Sequence, residues 1–343
     1  MSETARATAE ASLARADALL AGDATDLAGL ILKGHALTAL GDRLAASTFY
    51  STALRRAAGQ TGLSADILAG LGQARQALKT QNQDWEAHLN ASLARAGFDP
   101  AKSSDRFGLS LDLMAGRKQM YQQEPRVYLF PGLPQIQFQP RATLPWLETL
   151  EQATDDIRAE LLALTEPGLF QPYVQPVPGS PNIDTTGMKS NPDWSALFLW
   201  KDGVEQTDIA GRCPRTMDAL SDLPLCRIKG HTPSILFSRL RPGARIPAHT
   251  GMVNTRLICH LPLIAPAGCR FRVGNDVREW QEGQAWAFDD TIEHEAVNTS
   301  TEDRTILLFD VWKPELSAEE RDLVTAMFDA IDGFGGPRKA WGV

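Results

Sequence analysis

Two histidines, His249 and His294, stand among turn residues in the C-terminal half of this 343-residue chain. A neutral imidazole ligates zinc, copper, iron or nickel through whichever ring nitrogen is free of a proton. Two imidazoles and one carboxylate would make the facial set of a non-haem iron(II) site, with the remaining positions open for ligands. The carboxylate is usually found two residues after the first histidine, and Gly251 stands there with no side chain to bind anything. On spacing alone, a structural role for both histidines stays open. Downstream, Arg304 opens the apolar run Thr305–Trp312, so its fixed charge sits at the head of a segment that should be buried.

The elements that must position these groups read as short strands. Ser234–Leu240 has strand character and ends at the turn Arg241-Pro242-Gly243-Ala244, after which the chain reaches His249. Thr305–Trp312 is similar, and such runs are rich in β-branched and aromatic residues and bounded by Gly, Pro, Asn or Asp. Several of them at short spacing predict a sandwich or jelly roll. Two imidazoles and a distant arginine inside such a shell suggest a mononuclear iron(II) oxygenase that uses a 2-oxo acid, whose far carboxylate needs a fixed, forked cation.

A longer pattern runs through the same region. His249-Thr250-Gly251, Asn254-Thr255-Arg256-Leu257, His260-Leu261, Gly268-Cys269, Trp280, Glu282-Gly283, Phe288-Asp289-Asp290, Glu293-His294-Glu295, Arg304 and Asp310-Val311-Trp312 together resemble the aspartyl/asparaginyl β-hydroxylase family. The resemblance implies Fe(II) held by His249 and His294 without a carboxylate, water taking the third place. It implies 2-oxoglutarate as cosubstrate with O2, its distal carboxylate on Arg304 and Ser238. The carboxylate next to the iron would lie against His260, with Arg256 assisting. At Ile258 the chain departs from animal members, which carry an arginine that shares this duty. The implied reaction is hydroxylation of an unactivated carbon, foremost the β-carbon of Asp or Asn in a peptide or protein. The same chemistry on a small molecule or lipid head group is the alternative, as is a non-enzymatic adaptor with a degenerate sandwich. Asp289, Asp290, Glu293 and Glu295 could fix the tautomer of His294 or simply face solvent.

The remaining sequence bounds these readings. A net charge of −8 and the lack of a basic tract argue against nucleic acid as partner. Cys213, Cys226, Cys259 and Cys269 lack metal-site spacing, and no secretory signal or membrane-length apolar run is present, so buried thiols in a cytoplasmic protein are expected.

Residues 3 to 98 read as helices. Leu30, Gly34, Leu37, Gly41, Ala46, Tyr50 and Ala53 resemble the small and large positions of a tetratricopeptide unit, with Ala58 where a closing proline is usual. Ala16–Leu20 would end an earlier half-unit, and Ser64–Lys79 with Asp84–Ala96 would form another helical pair. Such a stack could bind a protein partner or guide a substrate. Further helices are expected over Phe107–Tyr121, Leu144–Leu164 and Cys213–Ser221, strands between Pro125 and Pro140 and over Asp193–Trp200, and a long loop over Gln171–Asn191. The expected class is α+β: a TPR-like helical domain over 1–100, then a double-stranded β-helix (jelly-roll) oxygenase domain over 101–343.

Overall fold

The computed structural model describes residues 2–176 and 187–335. The chain forms two compact units, Met1–Arg117 and Lys118–Val343.

The first unit is helical: α1 (Glu3–Gly22), α2 (Leu27–Leu40), α3 (Arg43–Ala57), α4 (Ala65–Arg95) and α5 (Asp105–Met114). Ser2, Asp26, Asp42, Ser64 and Ser104 each accept a hydrogen bond from a first-turn N–H that the helix itself cannot satisfy. Small residues set the packing distance, for a Cβ on Gly34 would lie 2.4 Å from the Tyr50 ring. The helices expected over Ser64–Lys79 and Asp84–Ala96 are instead one continuous α4, because Thr80–Gln83 holds neither Gly nor Pro to interrupt it. The helix expected over Phe107–Tyr121 stops at Met114, where Gly116 turns left-handed at φ 69°.

In the second unit the helices are α6 (Leu147–Gln152), α7 (Thr154–Ala163), α8 (Thr207–Ala210), α9 (Pro214–Leu220) and α10 (Ala318–Gly335). The strands are β1 (Gln171–Pro172), β2 (Trp194–Lys201), β3 (Val204–Glu205), β4 (Ile235–Leu240), β5 (Arg245–His249), β6 (Arg256–Ile264), β7 (Cys269–Val273), β8 (Asp276–Glu279), β9 (Trp286–Phe288), β10 (His294–Asn298) and β11 (Arg304–Trp312). They form a larger sheet, β1-β2-β4-β11-β6-β9 with β3 on β2, and a smaller one, β5-β10-β7-β8. Every named pair is antiparallel, and the interleaved strand order is that of a jelly roll.

Strand periodicity divides the core. Leu307, Phe309 and Val311 of β11 face a layer with Leu147, Leu150, Ile157 and Leu161 of α6 and α7. Ile306 and Leu308 point the other way, to a cluster shared with Ile246, Phe271 and Ala296 of the smaller sheet. The helix expected over Leu144–Leu164 breaks at Ala153, where the Thr154 hydroxyl bonds back to the Glu151 carbonyl at 2.6 Å. Between Pro125 and Pro140 only the isolated bridges Tyr128–Val253 and Phe138–Phe288 form, because prolines leave too few donors for a ladder. Within the expected loop Gln171–Asn191, Gln171 and Pro172 pair with β2, and 177–186 lie outside the described residues. The four cysteines are free, buried thiols.

Candidate active site

The two-residue period of a strand places the predicted side chains without further assumption. Arg304, Ile306, Leu308 and Asp310 alternate onto one face of β11, as do Arg256, Ile258 and His260 on β6, and all line one cavity between the sheets. Ser238 of β4 and His294 and Ala296 of β10 line it too. His249 should fail this test, since Ile246 also faces the cavity and lies three residues away. A bulge resolves it: His294 pairs with His249 but Ala296 pairs with Ile246, so β5 carries one extra residue against β10. Pro247 and Ala248 take up the extra length on this edge strand, and His249 turns back inward.

The two imidazoles meet with ring centroids 4.1 Å apart. Each Nδ1 pairs with a carbonyl two residues back, His249 with Pro247 at 2.7 Å and His294 with Ile292 at 3.0 Å. A carbonyl can only accept, so each Nδ1 carries the proton and each Nε2 keeps its lone pair. Burial lowers both pKa values, that of His294 well below the ordinary range, which favours the neutral, ligating form. The nearby acids do not set the tautomer. Glu293 and Glu295 pair with Arg272 at 2.8 and 2.7 Å, and Asp289 and Asp290 have partners of their own. Among the described residues, no cluster of three or more His, Cys, Asp or Glu side chains surrounds a metal-sized point.

Gly251 has a positive structural reason. A Cβ there would lie 2.0 Å from Asp290 Oδ2, so the Asp290 carboxylate occupies the space above it. Arg256 holds that carboxylate at 3.2 Å and reaches Asp310 at 3.0 Å with its other amino group. Asp290 Oδ1 stays without a partner, and burial lifts the Asp290 pKa to about 6 against the pull of Arg256.

Arg304 lies on the cavity floor at 1% exposure. It has no carboxylate partner among the described residues: one amino group donates to the Ser238 carbonyl at 3.3 Å, and Nε has no partner. The guanidinium rests on the Trp280 ring, 4.5 Å from its centroid. Burial without an opposing charge pulls its pKa down to about 10. His260 lies beside it, fully buried with Nδ1 unpaired, and burial followed by the Arg304 charge depresses its pKa strongly. The Ser238 hydroxyl accepts from Trp194 Nε1 at 3.2 Å. All six residues singled out in the sequence thus border one space. Trp280, Tyr173 and Asp202 border it as well. Trp280 belongs to the quoted pattern but carries no type-specific signal, and nothing local in the sequence aims Tyr173 or Asp202 inward.

The turn between β9 and β10 has its own anchor. Asp289 is fully buried and accepts from Lys313 Nζ at 2.6 Å, Gln123 at 2.6 Å and the Thr291 hydroxyl at 2.6 Å. Lys313→Met should cost about 3–5 kcal/mol by stranding a buried carboxylate, whereas Lys313→Met with Asp289→Asn should recover much of that loss. Urea denaturation of the three proteins checks this. Equal losses in the single and double variants would contradict it.

Comparison with known proteins agrees with this geometry. Residues 151–314 match the family model described as Aspartyl/Asparaginyl beta-hydroxylase. The human aspartyl/asparaginyl beta-hydroxylase is 33% identical over 187 residues, 53% of this chain and 23% of that protein. An ornithine lipid ester-linked acyl 2-hydroxylase of Rhizobium tropici is 36% identical over 176 residues, 50% of this chain and 59% of its own length. Human aspartate beta-hydroxylase domain-containing protein 2 is 31% identical over 210 residues, 60% of this chain and 55% of that one. The chain therefore spans about a quarter to three-fifths of these relatives. With the site motif and its strand placement both on this segment, residues 151–314 form a domain of the aspartyl/asparaginyl β-hydroxylase family.

Proposed function

We propose that this protein is an Fe(II)- and 2-oxoglutarate-dependent hydroxylase acting on an unactivated carbon. The observation that carries the reading is a buried arginine with no acidic partner among the described residues, in one cavity with two imidazoles whose Nδ1 atoms are both engaged. A charge so desolvated is costly unless an anion meets it. His249 and His294 would hold the iron, and neutral nitrogen donors suit that ion. Arg304 and Ser238 would hold the distal carboxylate of 2-oxoglutarate, with His260 toward the other. Bound iron and 2-oxoglutarate would supply, with O2, the oxidising power for exchanging C–H for C–OH, leaving succinate and carbon dioxide.

The chain's own part is to bind, orient and exclude water. Arg256 orients the Asp290 carboxylate beside the histidines, and Ile258, Ile306 and Leu308 keep the floor dry. We assign the 1–100 segment to a TPR-like module that presents substrate or partner, and 101–343 to catalysis. The human relative's name puts the hydroxyl on aspartyl or asparaginyl residues and the Rhizobium tropici relative's on an acyl group. Of these, the polar, partly exposed Asp202, Ser234 and Arg256 at the cavity favour a peptide or amino acid. No described helix is long and apolar enough to cross a membrane.

Incubating the full chain with Fe(II), ascorbate and 2-oxoglutarate, and following succinate by mass spectrometry, tests the reading. Absence of both metal and 2-oxoglutarate binding would overturn it. Gly251→Ala should push Asp290 aside and weaken metal uptake about 10–100-fold while the fold stays intact. Metal titration alongside circular dichroism checks this, and unchanged uptake would remove Asp290 from the site.

A further inference from the structure

His249 is the last residue of β5 and His294 the first of β10, so the ladder between these strands holds each imidazole from one side only. Beyond them the chain leaves the sheet in two turns. Asn254 lies five residues after His249, and Asp289 five residues before His294. Both are fully buried. The turns touch directly where the Gly251 N–H donates to the Asp290 carbonyl at 2.6 Å.

A third segment joins them a second time. Between Gln119 and Phe130 the chain runs along both turns: the Glu124 N–H donates to the Thr291 carbonyl at 2.8 Å, and the Arg126 and Val127 N–H groups donate to the Gly251 and Met252 carbonyls at 3.0 and 2.9 Å. Gln123 bridges the two. Its Nε2 donates to Asp289 Oδ2 at 2.6 Å, and its Oε1 accepts from Asn254 Nδ2 at 2.9 Å. A glutamine amide carries a donor and an acceptor on one planar group, which glutamate and methionine do not. The reverse orientation would set oxygen against carboxylate and NH2 against NH2, so the partners also fix which way the amide lies. Gln123 is itself held, because its N–H donates to Gln135 Oε1 at 2.9 Å and Nε2 also reaches the Pro134 carbonyl at 3.2 Å. Asn254 is held in turn, its Oδ1 accepting from the Phe130 N–H at 2.7 Å and its Nδ2 donating to the Phe130 carbonyl at 2.9 Å.

We propose that Gln123 is a positioning residue for the metal centre: by tying Asn254 to Asp289 it fixes the spacing of the two imidazoles that the strand ladder leaves open at one end. Among the described residues no third His, Cys, Asp or Glu completes the set, so that spacing governs how well two nitrogens share an ion. Gln123 lies outside residues 151–314, the stretch that carries the family match, so the centre depends on a segment before it. The proposal rests on the assignment of His249 and His294 as ligands.

The test titrates the full chain, free of metal, with Co(II) alone and follows its visible absorption, beside circular dichroism and melting of each metal-free protein. Gln123→Met should weaken Co(II) binding about 10–100-fold and alter the band shape at saturation. Gln123→Asn, whose shorter amide cannot span both partners, should weaken it too and replaces the methionine variant if that one does not fold. Leu150→Val, a truncation in the core layer on the other face of the larger sheet, should lower the melting temperature yet keep the parental Co(II) affinity. Parental affinity in the Gln123 variants, or an equal loss of affinity in Leu150→Val, overturns the proposal. A parent that binds no Co(II), or His249→Ala binding it as tightly as the parent, would instead remove the ligand assignment, and this proposal with it.

Discussion

His249→Ala and His294→Ala are each expected to abolish 2-oxoglutarate-dependent succinate formation and to remove stoichiometric iron uptake. With rings 4.1 Å apart and both Nδ1 atoms tied to carbonyls, the two Nε2 lone pairs are placed to share one ion. No third His, Cys, Asp or Glu completes a cluster with them among the described residues, so losing one leaves a single protein ligand. The expected loss is therefore near-total rather than graded. Iron content by mass spectrometry and succinate yield are measured together. Turnover persisting in either variant would refute the ligand assignment, and a lost fold would show in the far-ultraviolet spectrum. His260→Ala is the informative contrast: it removes an imidazole from the same cavity and should leave metal uptake in place.

Arg304→Ala should raise the 2-oxoglutarate concentration needed for half-maximal rate by about 30-fold to several thousand-fold, the range spanned by about 2–5 kcal/mol for truncating one side of a buried charged pair. Arg304→Lys should recover only part of this, since an ammonium cannot present two parallel donors or stack flat on Trp280. The variant protein itself should be as stable as the parent or more so, because the guanidinium is desolvated without an acidic partner. That pairing of outcomes separates a cosubstrate-binding arginine from a structural one. An unchanged requirement together with a lowered melting temperature would assign Arg304 to the fold instead.

Much of this site could be read from residue order. Arg304, Ile306, Leu308 and Asp310 alternate, and the jelly roll follows from short strands between turn residues. The quoted pattern points to His249, His294, His260 and Arg256, the family resemblance adds Ser238, and all of them border the cavity. What could not be read depends on tertiary packing. Gly251 looked like a missing ligand, but its reason is the Asp290 carboxylate arriving from a distant turn. The acids around His294 share a sequence neighbourhood yet divide among Arg272, Arg256 and Lys313, partners that no local window contains. Helix α4 departs from the expected helical pair for the opposite reason: the repeat pattern predicts a turn where the local residues offer nothing to make one.

The extra residue in β5 makes the centre depend on counting as well as on chemistry. Because His249 faces inward only through that irregularity, removing Ala248 would leave every residue of the quoted motif in place and yet swing one imidazole to the outside of the barrel. Relatives that keep the full signature but differ by a single-residue gap just before the first histidine would thus be metal-blind look-alikes, and alignment length at that one edge becomes a sorting criterion for the family.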